Sequence, residues 1–77
     1  MPHVIVKLYA GRSRREKARI AEAVTRAVME GAGCAETAVS VSIEDVAPAD
    51  WVEQVFKPDI AGKPDLLYKK PGYDPLA

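Results

Sequence analysis

Two short stretches of the chain alternate between apolar and polar residues, and this alternation predicts two β-strands. Residues 3–9 read H-V-I-V-K-L-Y, which places Val4, Val6 and Leu8 on one face of a strand. Residues 39–44 read V-S-V-S-I-E, which places the valines and the isoleucine inward and the serines and glutamate outward. We therefore expect strands over residues 3–9 and 39–44.

The segment between the two strands has the apolar spacing of a helix. Ser13, followed three residues later by Glu16, has the form of a capping box that opens a helix. The helix is expected to run to about Glu30, where two glycines at positions 31 and 33 supply the stop. Its predicted apolar stripe recurs at three- and four-residue steps and consists of Ile20, Ala21, Val24, Ala27 and Val28.

The last third of the chain is divided by prolines and glycines. Residues 49–57 carry an apolar stripe at helical spacing and predict a short helix, with Pro48 tolerated at its first position. Pro58, Gly62 and Pro64 are expected to divide the remaining residues, leaving one helical turn over residues 65–70 and a terminal loop. No internal repeat or long linker interrupts the sequence, so residues 1–77 are predicted to form one domain.

A strand, a helix and a second strand make a βαβ unit, whose two strands are expected to be parallel neighbours. Two strands alone are marginal and leave both edges open. With 77 residues and Cys34 as the only cysteine, the chain has a small core and no disulfide to stabilise it. We therefore expect an α/β fold in which two subunits form a four-stranded sheet with helices on one face, as a homodimer.

The formal net charge is zero, which argues against a dedicated nucleic-acid or membrane-surface protein. The charge is nevertheless uneven, with seven basic and two acidic residues in positions 1–26 and nine acidic against four basic residues beyond. This asymmetry indicates complementary surfaces within an oligomer or an anion site near the basic end. No apolar run has the length of a signal peptide or a membrane span, and a lone thiol suits a reducing compartment, so the expected location is the cytoplasm.

Most enzyme classes find no support in the sequence, which has one histidine, one cysteine and no phosphate-binding glycine loop. The amino terminus is the exception, because Met1-Pro2 directly precedes the first strand. Removal of Met1 would turn the amide nitrogen of Pro2 into a secondary amine. An α-amino group has a reference pKa of about 7.7 to 8, and burial or nearby cations lower it, so Pro2 is a candidate base near neutral pH.

Several short motifs occur in a characteristic order along nearly the whole chain. They are the opening M-P-H-V-I-V-K, the turn G-R-S at residues 11–13, the strand V-S-V-S-I, the segment P-A-D-W at residues 48–51 and the tail K-K-P-G-Y at residues 69–73. In these motifs the chain resembles the 4-oxalocrotonate tautomerase family, particularly its longer phenylpyruvate-tautomerase-type members. Shorter members form hexamers and the longer ones resemble dimers, so the resemblance implies a dimer.

The resemblance implies that Pro2 is the general base of a cofactor-independent and metal-independent keto-enol tautomerase, and that Arg12 holds the substrate carboxylate. Arg12, Arg14 and Arg15 crowd a helix start where the macrodipole disfavours cations, so a bound carboxylate would explain what local stability does not. Ser40 stands where shorter members keep a second arginine and would donate one hydrogen bond. This difference favours a 2-oxo acid with a single carboxylate, such as the enol of phenylpyruvate.

Trp51 would wall the substrate pocket, although an apolar stripe on a short helix is also typical of a core or a subunit interface. We expect a structural or interface role for His3, because adjacent strand residues point to opposite faces. Cys34 is expected to be a packed thiol.

Two other functions remain open on the sequence alone. Relatives that act as cofactor-free hydratases or dehalogenases use the proline as an acid, with a carboxylate such as Glu44 or Asp45 to activate water. The basic first third of the chain also fits a non-enzymatic module that binds an anion or nucleic acid, although residues 10–26 lack interleaved aromatic residues.

Overall fold

The computed structural model describes all 77 residues, from Met1 to Ala77. The regular elements are strand β1 (His3–Tyr9), helix α1 (Arg14–Ala32), strand β2 (Ser40–Val46) and a π-helix (Val52–Ala61). Two short 3-10 turns lie between them, at Glu36–Ala38 and Pro48–Asp50, and a third follows the π-helix at Pro64–Leu66. The chain divides into two compact units, residues 1–45 and residues 46–77. None of its helices is both long and apolar enough to cross a membrane.

The first unit contains the predicted βαβ arrangement. β1 and β2 are hydrogen-bonded neighbours in one two-stranded sheet. The backbone N–H of Ser40, the first residue of β2, donates to the carbonyl of Pro2, which precedes β1, at 3.2 Å. Because the two neighbouring strands begin side by side, they run parallel, as a strand–helix–strand connection requires. The βαβ prediction is confirmed, whereas the four-stranded sheet of two subunits stays a prediction.

Helix α1 begins and ends where its local signals place it. The Ser13 hydroxyl accepts a hydrogen bond from the backbone N–H of Glu16, and the Glu16 carboxylate accepts one from the backbone N–H of Ser13, which completes the capping box. At the other end Gly33 adopts a left-handed conformation with φ 66°, which glycine reaches without steric cost. The helix passes through Gly31 to Ala32, so the second glycine is the stop.

The predicted apolar stripe of α1 is correct except at one position. Four of its members are half-buried, but Ala27 is exposed. Thr25 and Met29 are half-buried instead, which shifts the stripe slightly around the helix. The side-chain hydroxyl of Thr25 donates to the backbone carbonyl of Ala21 at 2.7 Å, so a polar residue lies on this face with its hydrogen bond satisfied inside the helix.

Strand β2 begins one residue later and ends two residues later than predicted. The backbone N–H of Val39 donates to the carbonyl of Glu36 at 3.1 Å and closes the 3-10 turn, so it is not available to the sheet. The alternation of the strand is as expected at Val41 and Ile43, which are half-buried, and at Ser40 and Glu44, which are exposed. Ser42 was expected to face outward and is half-buried instead.

The other face of the sheet carries large apolar side chains that are exposed. Ile5 is 54% and Tyr9 52% exposed on β1, on the face opposite to the half-buried Val4, Val6 and Leu8. A sheet that is covered on one face alone normally presents polar residues on the other. These side chains are therefore candidates for a subunit contact.

In the second unit the predicted helix over residues 49–57 is replaced by a 3-10 turn and a ten-residue π-helix that continues through Pro58. The expectation that Pro58 divides the segment is wrong. In an α-helix the ring of a proline clashes with the carbonyl four residues earlier, whereas a π-helix has a wider turn. Val55 and Phe56 are buried, as their spacing predicted.

The π-helix ends at Gly62, a position where a side chain would not fit. Its N–H donates to the Lys57 carbonyl at 2.8 Å, and a Cβ at this position would approach the same oxygen to 2.7 Å. The helical turn predicted over residues 65–70 lies at Pro64–Leu66, where Pro64 provides the first residue of the turn. The single-domain prediction for residues 1–77 stays a prediction.

Candidate active site

Pro2 is half-buried at the start of the sheet, one residue before β1. Its carbonyl accepts the hydrogen bond from the Ser40 N–H, so its main chain is held by the first residue of β2. Met1, which acylates the proline nitrogen, is fully exposed. Met1 is therefore open to removal, which would leave a secondary amine at the beginning of a parallel sheet.

Ser40 contacts the amino terminus through its side chain as well. Its Oγ lies 2.7 Å from Nδ1 of His3, across 37 positions of sequence. His3 and Ser40 are both exposed and lie on the same face of the sheet. Ser40 thus contacts both Pro2, through the main chain, and His3, through the side chain.

Arg12 lies in the turn between β1 and α1. Its Nη1 is 3.5 Å from Oε2 of Glu16, one helical turn ahead, and both side chains are about half exposed. The pKa of Glu16 is held below its ordinary value, and the largest cause is its hydrogen bond with the backbone of Ser13. A hydrogen bond with the Ser13 side chain is the next largest cause, and the charge of Arg12 lowers the pKa further. The sequence analysis had identified no local partner for Arg12, whereas the structure shows that Glu16 is such a partner. Solvent screens so exposed a pair, so the guanidinium is open to a competing carboxylate.

Trp51 belongs to an aromatic group in the second unit. Its indole Nε1–H donates to the hydroxyl oxygen of Tyr73 at 3.0 Å. The ring of Tyr73 also lies 6.2 Å from that of Phe56, tilted by 46°. The tail residue Tyr73 therefore fixes one side of Trp51, which is half-buried. The sequence did not predict this contact, because the last residues were expected to form a terminal loop.

Two of the four predicted site residues, Pro2 and Ser40, are adjacent at the start of the sheet. Arg12 follows the far end of β1 instead. β1 has seven residues, and at about 3.3 Å per residue its ends are about 20 Å apart. Trp51 lies in the other unit of the chain. His3 was assigned to a structural or interface role, and its contact with Ser40 could not be foreseen because it joins distant parts of the sequence.

The carboxylates considered for water activation lie near the end of β2, away from Pro2. Asp45 accepts a hydrogen bond from the ammonium group of Lys17 at 3.1 Å, and this ion pair joins α1 to β2. No group of three or more histidine, cysteine, aspartate or glutamate side chains is placed to hold a metal ion. A groove of 340 Å³ beside α1 contains none of the four predicted site residues; it is lined by Ala21, Glu22, Thr25, Arg26, Met29 and Glu36.

A comparison with protein families matches residues 2–55 to the family described as tautomerase enzyme. This match covers more than half of the chain and begins at Pro2. The chain belongs to the tautomerase family, and it is therefore an isomerase. The resemblance to the 4-oxalocrotonate tautomerase family is confirmed, which decides against a non-enzymatic binding module.

Individual relatives agree with this assignment. A probable tautomerase of Xylella fastidiosa (strain 9a5c) is 44% identical across 100% of this chain and 94% of its own length. The tautomerase PptA of Pectobacterium carotovorum subsp. carotovorum (strain PC1) is 35% identical across 95% of this chain and 97% of its own length.

A solved structure also matches the fold. TomN, described as a 4-oxalocrotonate tautomerase homologue in the tomaymycin biosynthetic pathway, aligns with a TM-score of 0.63 and 40% identity. The alignment covers 65% of this chain and 77% of TomN. The βαβ core is therefore that of this family.

Proposed function

We propose that the protein interconverts the enol and keto forms of a 2-oxo acid, with the amine of Pro2 as the proton carrier after Met1 is removed. The observation that carries this proposal is the tautomerase match that begins at Pro2, a proline held at the start of the sheet by Ser40. A tautomerase needs a group that accepts a proton from oxygen and returns it to carbon, and a neutral secondary amine meets this need near neutral pH.

In the proposed reaction the amine of Pro2 carries the proton by itself, without a metal or cofactor. The lone pair of the Pro2 nitrogen takes the proton of the enol hydroxyl, and the oxygen becomes a carbonyl as the carbon–carbon double bond shifts its electrons toward C3. The protonated amine then delivers the proton to C3. The amine ends neutral, so one group acts first as base and then as acid.

The other predicted site residues bind the substrate. The guanidinium of Arg12 holds the carboxylate through two parallel hydrogen bonds, for which its planar fork is suited. Ser40 donates a single hydrogen bond, and Trp51 supplies an apolar wall beside the substrate body. One arginine and one aromatic wall favour a substrate with one carboxylate and an apolar or aromatic body, such as the enol of phenylpyruvate.

A second subunit completes this site. Pro2 and Arg12 lie about 20 Å apart along one β1, too far to hold the same small acid. When two copies pair their β1 edges about a two-fold axis, the strands run antiparallel, and the start of one lies beside the end of the other. The partner's arginine then approaches Pro2. The open edge of β1 in the two-stranded sheet and the uneven charge of the chain support such a homodimer, with a four-stranded sheet and helices on one face.

The lone thiol of Cys34 fits a reducing compartment, which favours the cytoplasm as the place of action.

The pH dependence of protein with and without Met1 tests the proposed base. For the processed form, kcat/KM for ketonisation of phenylpyruvate enol should rise along a limb centred between about pH 5.5 and 8. The pKa of the amine should be lowered because Pro2 is half-buried and the second subunit's arginine approaches it, and each of these disfavours the protonated form. The form that retains Met1 should show neither the limb nor the activity. Equal rates and equal pH profiles for the two forms would refute the mechanism.

A further inference from the structure

The start of β1 is held at two consecutive residues by a single partner. Ser40 donates its backbone N–H to the carbonyl of Pro2 at 3.2 Å, and its hydroxyl lies 2.7 Å from Nδ1 of His3. The first contact belongs to the sheet and needs no particular side chain. The second depends on a histidine at position 3 and a hydroxyl at position 40.

These two contacts affect the direction in which the lone pair of the Pro2 nitrogen points. The ring of proline fixes the nitrogen relative to its Cα, so ψ is the one free torsion between the nitrogen and the carbonyl. With Met1 removed, Pro2 is the first residue, and a chain end frays unless it is tied down. A carbonyl held by Ser40 and a following side chain held by the same residue restrict ψ, and they thereby restrict the direction of the lone pair.

We propose that His3 is a positioning residue, which acts through Ser40 to orient the amine of Pro2 for proton transfer. This inference rests on the proposed function of Pro2. The hydrogen bond survives a change in the charge of His3, because a serine hydroxyl both donates and accepts and Nδ1 does either according to its protonation.

Three substitutions at position 3 distinguish positioning from a general structural role. His3→Ala removes the contact, while His3→Asn keeps a polar atom bonded to Cγ, where Nδ1 stands. His3→Gln carries its polar atoms one bond further out and is the matched control. We expect kcat to fall about three- to tenfold for the alanine and glutamine variants, with KM little changed, and to recover to within about twofold of wild type for asparagine.

A double substitution tests whether His3 acts through Ser40. Once Ser40→Ala is present, adding His3→Ala should lower kcat no further, because the two side chains form one contact. Ser42→Ala removes the same hydroxyl two residues along β2 and should leave kcat at the wild-type value. The melting temperature of every variant is measured in parallel, so a loss of folded protein is not mistaken for a loss of positioning.

Several results would overturn the proposal. It fails if kcat of His3→Ala equals that of wild type, if asparagine is no better than glutamine, if the two losses add, or if KM alone rises. The hydrogen bond itself is read without activity, from the change that Ser40→Ala causes in the ¹⁵N chemical shift of His3 Nδ1. If wild type is active and the His3 variants have the same kcat as wild type, the positioning role alone is refuted. An inactive wild-type enzyme with an intact hydrogen bond refutes the proposed function, and the positioning role with it.

Discussion

The separation of Pro2 from Arg12 predicts that two inactive variants restore activity when they assemble together. One variant is Arg12→Ala, which keeps the amine. The other is a chain that retains Met1, prepared by chemical synthesis, which keeps the arginine but has no free Pro2 nitrogen. The seven residues of β1, at about 3.3 Å each, put the two groups about 20 Å apart in one subunit. A site that uses both must therefore draw on two subunits.

The expected recovery follows from counting the assembled sites. In an equal mixture that exchanges subunits freely, half of the pairs of neighbouring subunits are mixed, and each mixed pair has one intact site and one site that lacks both groups. About one quarter of all sites should therefore be intact, and kcat/KM per subunit should reach about one quarter of the wild-type value. This fraction is the same for a dimer and for any larger ring of such sites.

The assay measures ketonisation of phenylpyruvate enol after the two variants are unfolded together, refolded and checked for mixed oligomers by native mass spectrometry. Each variant refolded alone gives the baseline, and wild type mixed with the Met1-retaining chain should give about one half of the wild-type activity. Mixed oligomers with no activity above the baseline would refute the shared site. That result would mean that Pro2 and Arg12 do not act on the same substrate molecule.

Two further predictions concern Arg12 and its neighbour. Arg12→Ala should lower kcat/KM for a 2-oxo-acid enol by about one to two orders of magnitude with little change in melting temperature, and an unchanged value would remove Arg12 from the site. Glu16→Gln keeps the capping geometry but does not titrate. The lowered pKa of Glu16 means that its carboxylate stabilises the fold above the pKa of the unfolded chain, and that this stabilisation is lost as the pH falls through the folded value. Urea unfolding should therefore show that lowering the pH below about 4.3 reduces the stability of wild type relative to Glu16→Gln, and a constant difference would contradict this.

The elements that the sequence predicted well are those whose ends are set by neighbouring residues. α1 begins at a capping box formed by Ser13 and Glu16 and ends at the left-handed Gly33, and each of these signals acts over a few residues. The strand β1 was predicted to the residue, because strict alternation is interrupted at once by the turn that contains Gly11.

Predictions failed where a wider or competing hydrogen-bond pattern decided the outcome. The alternation that begins at Val39 did not show that the Glu36 carbonyl takes the Val39 N–H into a 3-10 turn. The periodicity of residues 49–57 was read at 3.6 residues per turn, which makes Pro58 a terminator. The π-helix uses a wider turn, and it ends at Gly62 instead, where the backbone leaves no room for a side chain.

The site was harder to predict because its contacts join distant positions. Pro2 was proposed as the base from local sequence together with the family resemblance. The bond from His3 to Ser40 spans 37 positions, and the bond from Trp51 to Tyr73 spans 22. Periodicity says which face a residue takes and does not say which partner it meets there. The pairing of Arg12 with Glu16 follows the i,i+4 rule and was within reach of the sequence.

We propose that one subunit contact both stabilises the first unit and completes the site. α1 buries none of its 19 residues fully, and the buried apolar residues, Val46, Val55 and Phe56, all lie beyond residue 45. β1 has an open edge in the two-stranded sheet, so a second copy that pairs along this edge would satisfy its backbone groups and stabilise the sheet. By the antiparallel pairing that we propose, that copy also brings its arginine to Pro2. We therefore infer that weakening this contact costs stability and activity together, whereas Arg12→Ala costs activity alone.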